Sequence, residues 1–308
     1  MSDALLALIG QTATGKTRIA EHLAPRFSAE IVAADSMTVY RGMDIGTAKP
    51  SVDERARVRH HLIDIVEPGE PFTVARFQRA AREAIADIRA RGGVPLIVGG
   101  SGLHFRAAVD ALDFPPADAE VRARLEDEEL PALVDRLRRS DPDAAAFVDP
   151  ANKRRVVRAL EVIEITGRPF SSFRDAWDRY LPAAVAGLHL EPEELDRRVR
   201  ARLDAMLERG WLDEIRRLVE AGFRAALEQT QAIGYREALA LAEGRIDRET
   251  FLDRAARATR RFSRRQLAWF RRDPRVRWFD ASDVERAEAE VGAYYSQQIE
   301  KGFARCDS

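Results

Sequence analysis

The sequence predicts an α/β protein whose core is a parallel sheet, with a mostly helical insertion and a helical C-terminal part. Three observations predict this fold class. Short apolar segments closed by turn residues alternate with helix-length patterns over residues 4–100. The first of these segments leads directly into the glycine-rich stretch GQTATGKT. Strand signals then nearly vanish between residues 113 and 182, where the chain is charged and helical in pattern.

The first three apolar segments are predicted to be buried parallel strands, at residues 4–10, 30–35 and 94–100. A helix-length pattern at 16–27 separates the first two strands. A second pattern, within 73–92, separates the next two, because its apolar residues recur at helical spacing: Val74, Phe77, Ala81, Ile85 and Ile88. Strands that alternate with helices imply a parallel sheet that binds ligands at the carboxyl ends of its strands.

The sequence pattern changes after the stretch DALDFPPAD, where strand signals give way to charged, helical segments. We therefore predict a core domain formed by residues 1–112 and 183–308, and a helical insertion domain at 113–182. Residues 184–192 are expected to return to the sheet as a strand. The rest of the core is predicted to be helical, at residues 193–209, 211–221, 235–243, 248–272 and 284–300.

Composition narrows the classes of function. The chain has 308 residues, 45% of them hydrophobic, which is enough for one large domain or two unequal ones. Its 50 Lys and Arg against 51 Asp and Glu mean that a nucleic acid must be bound by local basic patches. The only cysteine, Cys306, excludes a disulfide framework and a cysteine-based zinc site. No signal peptide pattern is found, and no apolar run approaches ~18 residues, so we expect a cytoplasmic monomer without a membrane partner.

The glycine-rich stretch has the P-loop pattern, in which a strand is followed by GxxxxGK[ST] and then by a helix. Glycines at both ends allow backbone N–H groups to converge on an anion, while Lys16 adds a positive charge and Thr17 can bind Mg²⁺. Such a core is expected to be P-loop NTPase-like, and a small-molecule kinase or NTPase is the default interpretation. However, the strand ending in VGGSG carries no acid for Mg²⁺, whereas the second strand ends in Asp35.

Seven segments occur in one order along the chain: GQTATGKT, DSMTVYRGMDIGTAKP, HHLIDI, VGGSGLHF, NKRRVVRALEV, QAIGYREAL and RRFSRRQLAWFRRD. Together they closely resemble the tRNA dimethylallyltransferase (tRNA isopentenyltransferase) family, over residues 5 to about 280. The resemblance implies a transferase that moves the dimethylallyl group of dimethylallyl diphosphate to N6 of the adenine 3′ of the tRNA anticodon, releasing diphosphate. The diphosphate would be held by Gly10, Gln11, Thr12, Ala13, Thr14, Gly15, Lys16 and Thr17, with Mg²⁺ as cofactor.

The resemblance also implies roles for individual side chains. Asp35 would be the general base for the adenine amine, which is a poor nucleophile. Lys16 and an arginine would stabilise the departing diphosphate. Arg198 and Arg202 are both candidates by spacing, because they share a helix face, and the resemblance selects Arg202. The tRNA would contact Asp35, Ser36, Met37, Thr38, Ser101, Arg122, Arg154, Arg155, Arg158, Gln231, Gly234, Tyr235 and Arg236, so the insertion domain is expected to contact tRNA.

A run of nine arginines between Arg254 and Arg275 is a second candidate for RNA binding. If Ala255, Ala258, Phe262 and Trp269 form the buried stripe of this helix, its arginines face outward, with no opposing acids nearby in the sequence. The outward arginines would be Arg257, Arg260, Arg261 and Arg264. The five histidines form no metal-binding pattern, and the adjacent His60 and His61 are expected to be structural.

Three positions depart from the pattern of the family: Gln11 stands where proline is usual, Thr38 where glutamine is common, and His104 where tyrosine is common. Gln11 leaves the loop amide available, and Thr38 puts one contact to the anticodon loop in question. Three other functions remain open from the sequence. They are an adenylate isopentenyltransferase acting on free nucleotides, a P-loop small-molecule kinase, and an RNA-binding P-loop protein without catalytic activity.

Overall fold

The computed structural model describes residues 5–302, apart from the side chain of Asp175. It divides into two compact units, Met1–Val109 with Pro182–Ser308, and Asp110–Leu181. Ala4, where the first predicted strand begins, and Cys306 lie outside the described residues. None of the helices in the described part is long and apolar enough to cross a membrane.

The first unit, which we call the core unit, contains a six-stranded sheet in which every pair of neighbouring strands is parallel. The strand order is β3-β2-β4-β1-β5-β6. In chain order the strands are β1 (Leu6–Gly10), β2 (Ala29–Ala33), β3 (His60–His61), β4 (Val94–Gly99), β5 (Ala184–His189) and β6 (Val276–Asp280). The predicted parallel α/β class is confirmed, and β1 lies in the middle of the sheet, between β4 and β5.

Helices connect and follow these strands. In chain order they are α1 (Lys16–Arg26), α2 (Val52–Arg57), α3 (Val74–Ala90), α4 (Gly102–Val109), α5 (Ala119–Glu126), α6 (Leu130–Ser140), α7 (Pro142–Phe147), α8 (Lys153–Thr166), α9 (Pro192–Glu208), α10 (Trp211–Glu220), α11 (Arg224–Gln229), α12 (Tyr235–Ala242), α13 (Arg248–Phe270) and α14 (Val284–Glu300).

The core unit is held together by apolar faces that pack on the sheet. On α3 the buried residues are four of the five that were predicted from helical spacing: Phe77, Ala81, Ile85 and Ile88. Farther along the chain, Trp211 is fully buried and meets the rings of Tyr235 and Phe251 edge-on, each at 5.5 Å between ring centroids. Large buried aromatic rings of this kind fix the positions of the helices that carry them.

Residues 110–181 form the second unit, the insertion unit, which contains α5 to α8 and two short 3₁₀ helices and has no strand among its described residues. It has an apolar core of its own, to which Leu125, Leu133, Leu137 and Leu160 contribute. A buried Asp141 caps α7 and accepts hydrogen bonds from the backbone and hydroxyl of Ser171. An independent core with satisfied buried polar groups is what a folded insertion requires.

Candidate functional site

The loop between β1 and α1 has the backbone shape of an anion-binding loop. Gly10, Ala13 and Gly15 have positive φ angles of 133°, 62° and 84°, and Gly15 is the N-cap residue of α1. A Cβ atom at Gly10 would lie 2.1 Å from the carbonyl oxygen of Leu188, so only glycine fits there. The loop therefore presents its amides and the N-terminus of an 11-residue helix to the same space.

The side chain of Gln11 ties the loop to two other parts of the core unit. Its Nε2 donates to Ser263 Oγ on α13 at 2.9 Å, and its Oε1 accepts from the amide of Leu190 at 3.0 Å. Gln11 is 3% exposed. The departure from proline thus gives the loop a buried side-chain anchor, because proline could make neither bond.

Gln266, one turn after Ser263 on α13, makes a second anchor. Its Oε1 accepts from the amide of Thr12 at 2.9 Å, and its Nε2 donates to the carbonyl oxygen of Gly100 at 3.0 Å. Both groups of the amide are thus used, and the loop after β1 is joined to the loop after β4. Ser263 and Gln266 were not identified from the sequence, because their partners lie about 250 residues away and nothing local marks them.

Lys16 points back into the loop, where its ammonium group donates to the carbonyl oxygen of Gln11. Burial and the neighbouring positive charge of Arg202 lower the pKa of Lys16 to about 7, while the carboxylate of Asp35 acts in the opposite direction. Burial also lowers the pKa of Arg202, and Asp35 again opposes that change. These mutual effects show that Lys16, Arg202 and Asp35 lie within electrostatic reach of one another.

Asp35 follows β2, which ends at Ala33, two residues earlier than the predicted strand. Its Oδ1 accepts a hydrogen bond of 2.8 Å from the amide of Met37, which orients the carboxyl group at the carboxyl edge of the sheet. This edge is where parallel α/β sheets bind their ligands.

Two cavities in the core unit meet at these side chains. The loop cavity, about 440 Å³, is lined by Gly15, Lys16, Thr17 and Thr38 among others. The Ser36 cavity, about 320 Å³, is lined by Ser36, Met37, Gln231 and Arg265 among others. Residues that line both cavities form the junction: Thr12, Ala13, Asp35, Thr47, Arg202, Met206 and Phe262.

The structure separates the two arginines that spacing left as candidates. Arg198 is held by Glu194 at 2.5 Å and donates to the carbonyl oxygens of Ala281 and Ser282, so it is committed to the fold. Arg202, one turn later, lines both cavities. Arg209, which the sequence did not single out, also lines the loop cavity and adds a further positive charge there.

The junction also depends on a buried carboxylate. Glu214, 2% exposed, accepts hydrogen bonds from the amides of Asp44 and Ile45 at 2.9 and 2.6 Å and from the hydroxyl of Tyr235 at 2.7 Å. These bonds fix the backbone just before Thr47, which lines both cavities. Charge-assisted bonds to a buried carboxylate are among the stronger ones in proteins.

The predicted tRNA contacts of the core unit fall into two groups. Gln231 lines the Ser36 cavity, and Gln231 and Arg236 are exposed. Gly234 and Tyr235 are buried, and a Cβ at Gly234 would lie 2.5 Å from the Trp211 ring, so these two residues are not open to a ligand in this conformation. They support the backbone instead.

Two hydroxyl residues near the junction are placed differently. Thr38, 9% exposed, lines the loop cavity, and its hydroxyl has no hydrogen-bond partner among the described residues. The hydroxyl of Ser101 lies 2.7 Å from Nδ1 of His104. His104 is buried against the ring of Phe77, and burial lowers its pKa, so the imidazole is neutral at pH 7.

The four arginines of the insertion unit that were predicted to contact tRNA also fall into two groups. Arg122 and Arg158 both bind the buried carboxylate of Glu161, at 3.0 and 2.7 Å, and Arg158 also donates to the carbonyl oxygen of Pro115. Arg154 and Arg155 are exposed, and no ion pair is found for either one within residues 5–302. All four line a cavity of about 610 Å³ in this unit, together with Phe147 and Phe170.

Helix α13 requires two corrections. Its buried face is not the predicted stripe, since Ala255 is buried but Ala258, Phe262 and Trp269 are only half-buried. The polar residues Ser263 and Gln266 belong to the buried face, and a search for apolar spacing does not find them. Arg260 also has an opposing acid, Asp196, at 3.6 Å. Of the four arginines predicted to face outward, Arg257, Arg261 and Arg264 are exposed and have no acid partner in the described part of the chain.

A magnesium ion fits the loop cavity by its chemistry. The described residues contain no cluster of three or more His, Cys, Asp or Glu that could hold a metal alone. Mg²⁺ commonly takes one or two protein oxygens and completes its shell with phosphate and water. The hydroxyl of Thr17 and the carboxylate of Asp35 both line this cavity and are oxygen donors of that type.

The fold and the site define a P-loop α/β protein with an anion-binding loop that opens into a paired cavity. Comparison with known proteins is more specific. Residues 38–273 match the family model described as IPP transferase. The tRNA dimethylallyltransferase of Thermobifida fusca (strain YX) is 49% identical over 300 residues, covering 93% of this chain and 94% of the relative. The chain belongs to the tRNA dimethylallyltransferase family.

Solved structures agree with this assignment. The full-length tRNA isopentenylpyrophosphate transferase from Bacillus halodurans is 38% identical, with a TM-score of 0.70 over 97% of this chain and 98% of that one. A eukaryotic dimethylallyltransferase acting on tRNA is 28% identical, with a TM-score of 0.84 over 97% of this chain and 80% of that one. The resemblance recognised in the sequence motifs is therefore confirmed.

Proposed function

We propose that the protein transfers the dimethylallyl group of dimethylallyl diphosphate to N6 of the adenine 3′ of the tRNA anticodon, and that Mg²⁺ assists. The observation that carries this proposal is the meeting of two cavities at Asp35 and Arg202, beside Lys16. One cavity contains the anion-binding loop, and the other is lined by hydroxyl, amide and apolar groups and by Arg265. Two substrates that react with each other need such a junction.

The loop cavity is assigned to the diphosphate. Amides of the loop, Lys16 and Arg202 would bind its oxygens, and Mg²⁺ held by Thr17 would supply further positive charge. In the reaction the bond between C1 of the donor and its diphosphate oxygen breaks, and the electron pair stays with the oxygen. The groups that stabilise this leaving oxygen act where new charge develops, which is where electrostatic catalysis is most effective.

The Ser36 cavity is assigned to the adenine. A base stacked in a tRNA loop cannot be reached, so it must be turned out into a pocket. N6 forms a bond to C1 of the donor and loses one proton, and Asp35 at the junction is the carboxylate that accepts it. The exposed amide of Gln231, which lines this cavity, would bind the edge of the nucleotide.

The rest of the tRNA would be bound by positive side chains. The exposed arginines of α13 and the uncommitted Arg154 and Arg155 of the insertion unit are suited to phosphate contacts. A free nucleotide needs no such surface, which argues against an adenylate isopentenyltransferase. Against a kinase, the strand that ends in VGGSG carries no acid to hold Mg²⁺ opposite the loop. An RNA-binding protein without activity needs no carboxylate between two cavities.

One experiment separates these functions. The protein is incubated with Mg²⁺ and labelled dimethylallyl diphosphate, together with either unmodified tRNA or AMP, and in parallel with ATP. We expect label on tRNA alone. Label on AMP would select the adenylate isopentenyltransferase, turnover of ATP without prenyl transfer would select the kinase, and tRNA binding without any turnover would select the RNA-binding protein.

A further inference from the structure

We propose that Gln266 limits the loop cavity to two phosphate groups and is thus a specificity-determining residue for a diphosphate over a triphosphate. The inference rests on the proposed function and deepens it. A P-loop alone does not make this choice, because the same loop binds nucleoside triphosphates in many proteins. Some other part of the chain must close the site.

The amides of the loop are not equally available. The amide of Thr12 already donates to Gln266 Oε1 at 2.9 Å. No acceptor is found within residues 5–302 for the amides of residues 13–17, which lie next to the N-terminus of α1. An anion can therefore use the helix end of the loop at once, whereas the Thr12 end is taken by a side chain of α13.

Gln266 also fills space at that end. It lines the loop cavity beside Thr12 and Gly100 and is 5% exposed. Its Nε2 lies so close to Gly100 that a Cβ there would be 2.1 Å away, so the side chain cannot retreat in that direction. Phe262, one turn earlier on α13, lines the same cavity. A phosphate chain that extends along the loop past Ala13 would have to break both bonds of Gln266.

Lys16 is consistent with this limit. Its ammonium group donates to the carbonyl oxygen of Gln11, next to the end of the loop that Gln266 occupies. The side chain bends back over the loop to reach this oxygen. A cation held there can bind the outer phosphate of a diphosphate, and a third phosphate would meet Gln266 rather than another positive charge. The electrostatic and steric arrangements therefore favour the same ligand length.

The test compares two probes, inorganic pyrophosphate and inorganic tripolyphosphate, at one Mg²⁺ concentration by isothermal titration calorimetry. The measured quantity is the ratio of their dissociation constants, which cancels a general loss of affinity. In Gln266→Ala the amide of Thr12 is freed and the space opens. We expect the ratio to move toward tripolyphosphate by about tenfold or more, since the new bond would be charge-assisted.

Gln266→Met is the second variant, because it frees the same amide but fills most of the space, and we expect a smaller shift of about threefold. Tyr295→Phe is the matched control. It removes another buried bond, from the Tyr295 hydroxyl to the carbonyl oxygen of Ala7 in β1, without touching the loop. It should lower the melting temperature and leave the ratio unchanged.

The outcomes are distinct. A shift of the ratio toward tripolyphosphate in either Gln266 variant supports the proposal, and a shift toward pyrophosphate would overturn it. If Gln266→Ala does not fold, Gln266→Met alone decides. A ratio that stays at the wild-type value in both, even with weaker binding of both anions, would overturn it and leave Gln266 a structural anchor. Absence of pyrophosphate binding by the wild-type protein would instead contradict the proposed function.

Discussion

The pKa of Lys16 leads to a prediction about how diphosphate binding depends on pH. In the free protein, burial and Arg202 lower this pKa to about 7. A bound diphosphate brings several negative charges into the same cavity, which favours the ammonium form and raises the pKa toward its ordinary value of 10.5. The complex thus holds more protons than the free protein, so binding takes up a proton.

The sign and size of the effect follow from linkage. Because the bound state has the higher pKa, affinity for pyrophosphate is greatest below pH 7 and falls as the pH rises through the pKa of the free protein. Because the pKa of Lys16 in the free protein is about 7, binding of pyrophosphate should take up about 0.5 proton at pH 7 and about 0.9 proton at pH 8. Between pH 7 and pH 9 the dissociation constant should rise by roughly 50-fold from Lys16 alone.

The assay is calorimetric titration of pyrophosphate at pH 7 and pH 8, each in two buffers with different ionisation enthalpies and at constant Mg²⁺. Pyrophosphate and Mg²⁺ have their own pH dependence, so the control is Lys16→Arg, in which the positive charge does not titrate. We expect the wild-type protein to take up more protons than this variant by the amounts above. Equal uptake by the two proteins at pH 8 would refute the reasoning and mean that Lys16 is already charged in the free protein.

Three further predictions concern the carboxylates and the arginines. If Asp35 is the base, Asp35→Asn should lower the single-turnover rate by a factor of about 10²–10⁴ and leave the affinity for tRNA little changed. A rate restored by added Mg²⁺ would make Asp35 a metal ligand instead. The second prediction replaces three exposed arginines of α13 with alanine: Arg257, Arg261 and Arg264. The slope of log affinity for tRNA against log salt concentration should become less steep by roughly two or more. An unchanged slope would mean that this face is only solvated. Glu214→Gln should weaken the hydrogen bonds from this side chain to the amides before Thr47. The unfolding free energy, measured by urea denaturation, should fall by about 1–3 kcal/mol. No loss of stability would mean that Glu214 does not hold that loop.

Sequence patterns predicted the middle of the sheet and not its edges. The segments that form β1, β2, β4 and β5 are short apolar runs, because strands covered on both faces need apolar residues throughout. At one edge, β6 has the sequence VRWFD, in which Arg277 and Asp280 leave no apolar run longer than two residues. At the other edge, β3 has only two residues, too few for any periodicity to be detected.

The candidate site divides in the same way between local and distant information. The residues of the loop and Asp35 could be proposed from the sequence because their chemistry depends on neighbours a few positions away. Gln266 and Glu214 act on backbone amides about 250 and 170 residues distant, so their roles depend on the tertiary fold. The burial of Tyr235 was missed for the same reason, since its partners are Trp211 and Glu214.

The charges at the junction suggest how the site favours the transition state over the substrate. Without ligand, burial disfavours the charged forms of Lys16 and Arg202, Arg202 further lowers the pKa of Lys16, and the carboxylate of Asp35 opposes these changes. Binding of the diphosphate relieves that repulsion. As the bond to C1 breaks, the leaving oxygen gains negative charge while the prenyl carbon becomes cationic. In the proposed arrangement the cations would then attract the diphosphate more strongly than before reaction, and Asp35, which lines both cavities, would be the negative charge on the side of the prenyl carbon and the amine. Interactions that strengthen in this way lower the barrier rather than only the energy of the bound substrate. The same positive charge holds the product, since free pyrophosphate carries more negative charge than its ester, so the arrangement that speeds bond cleavage must also slow the release of pyrophosphate.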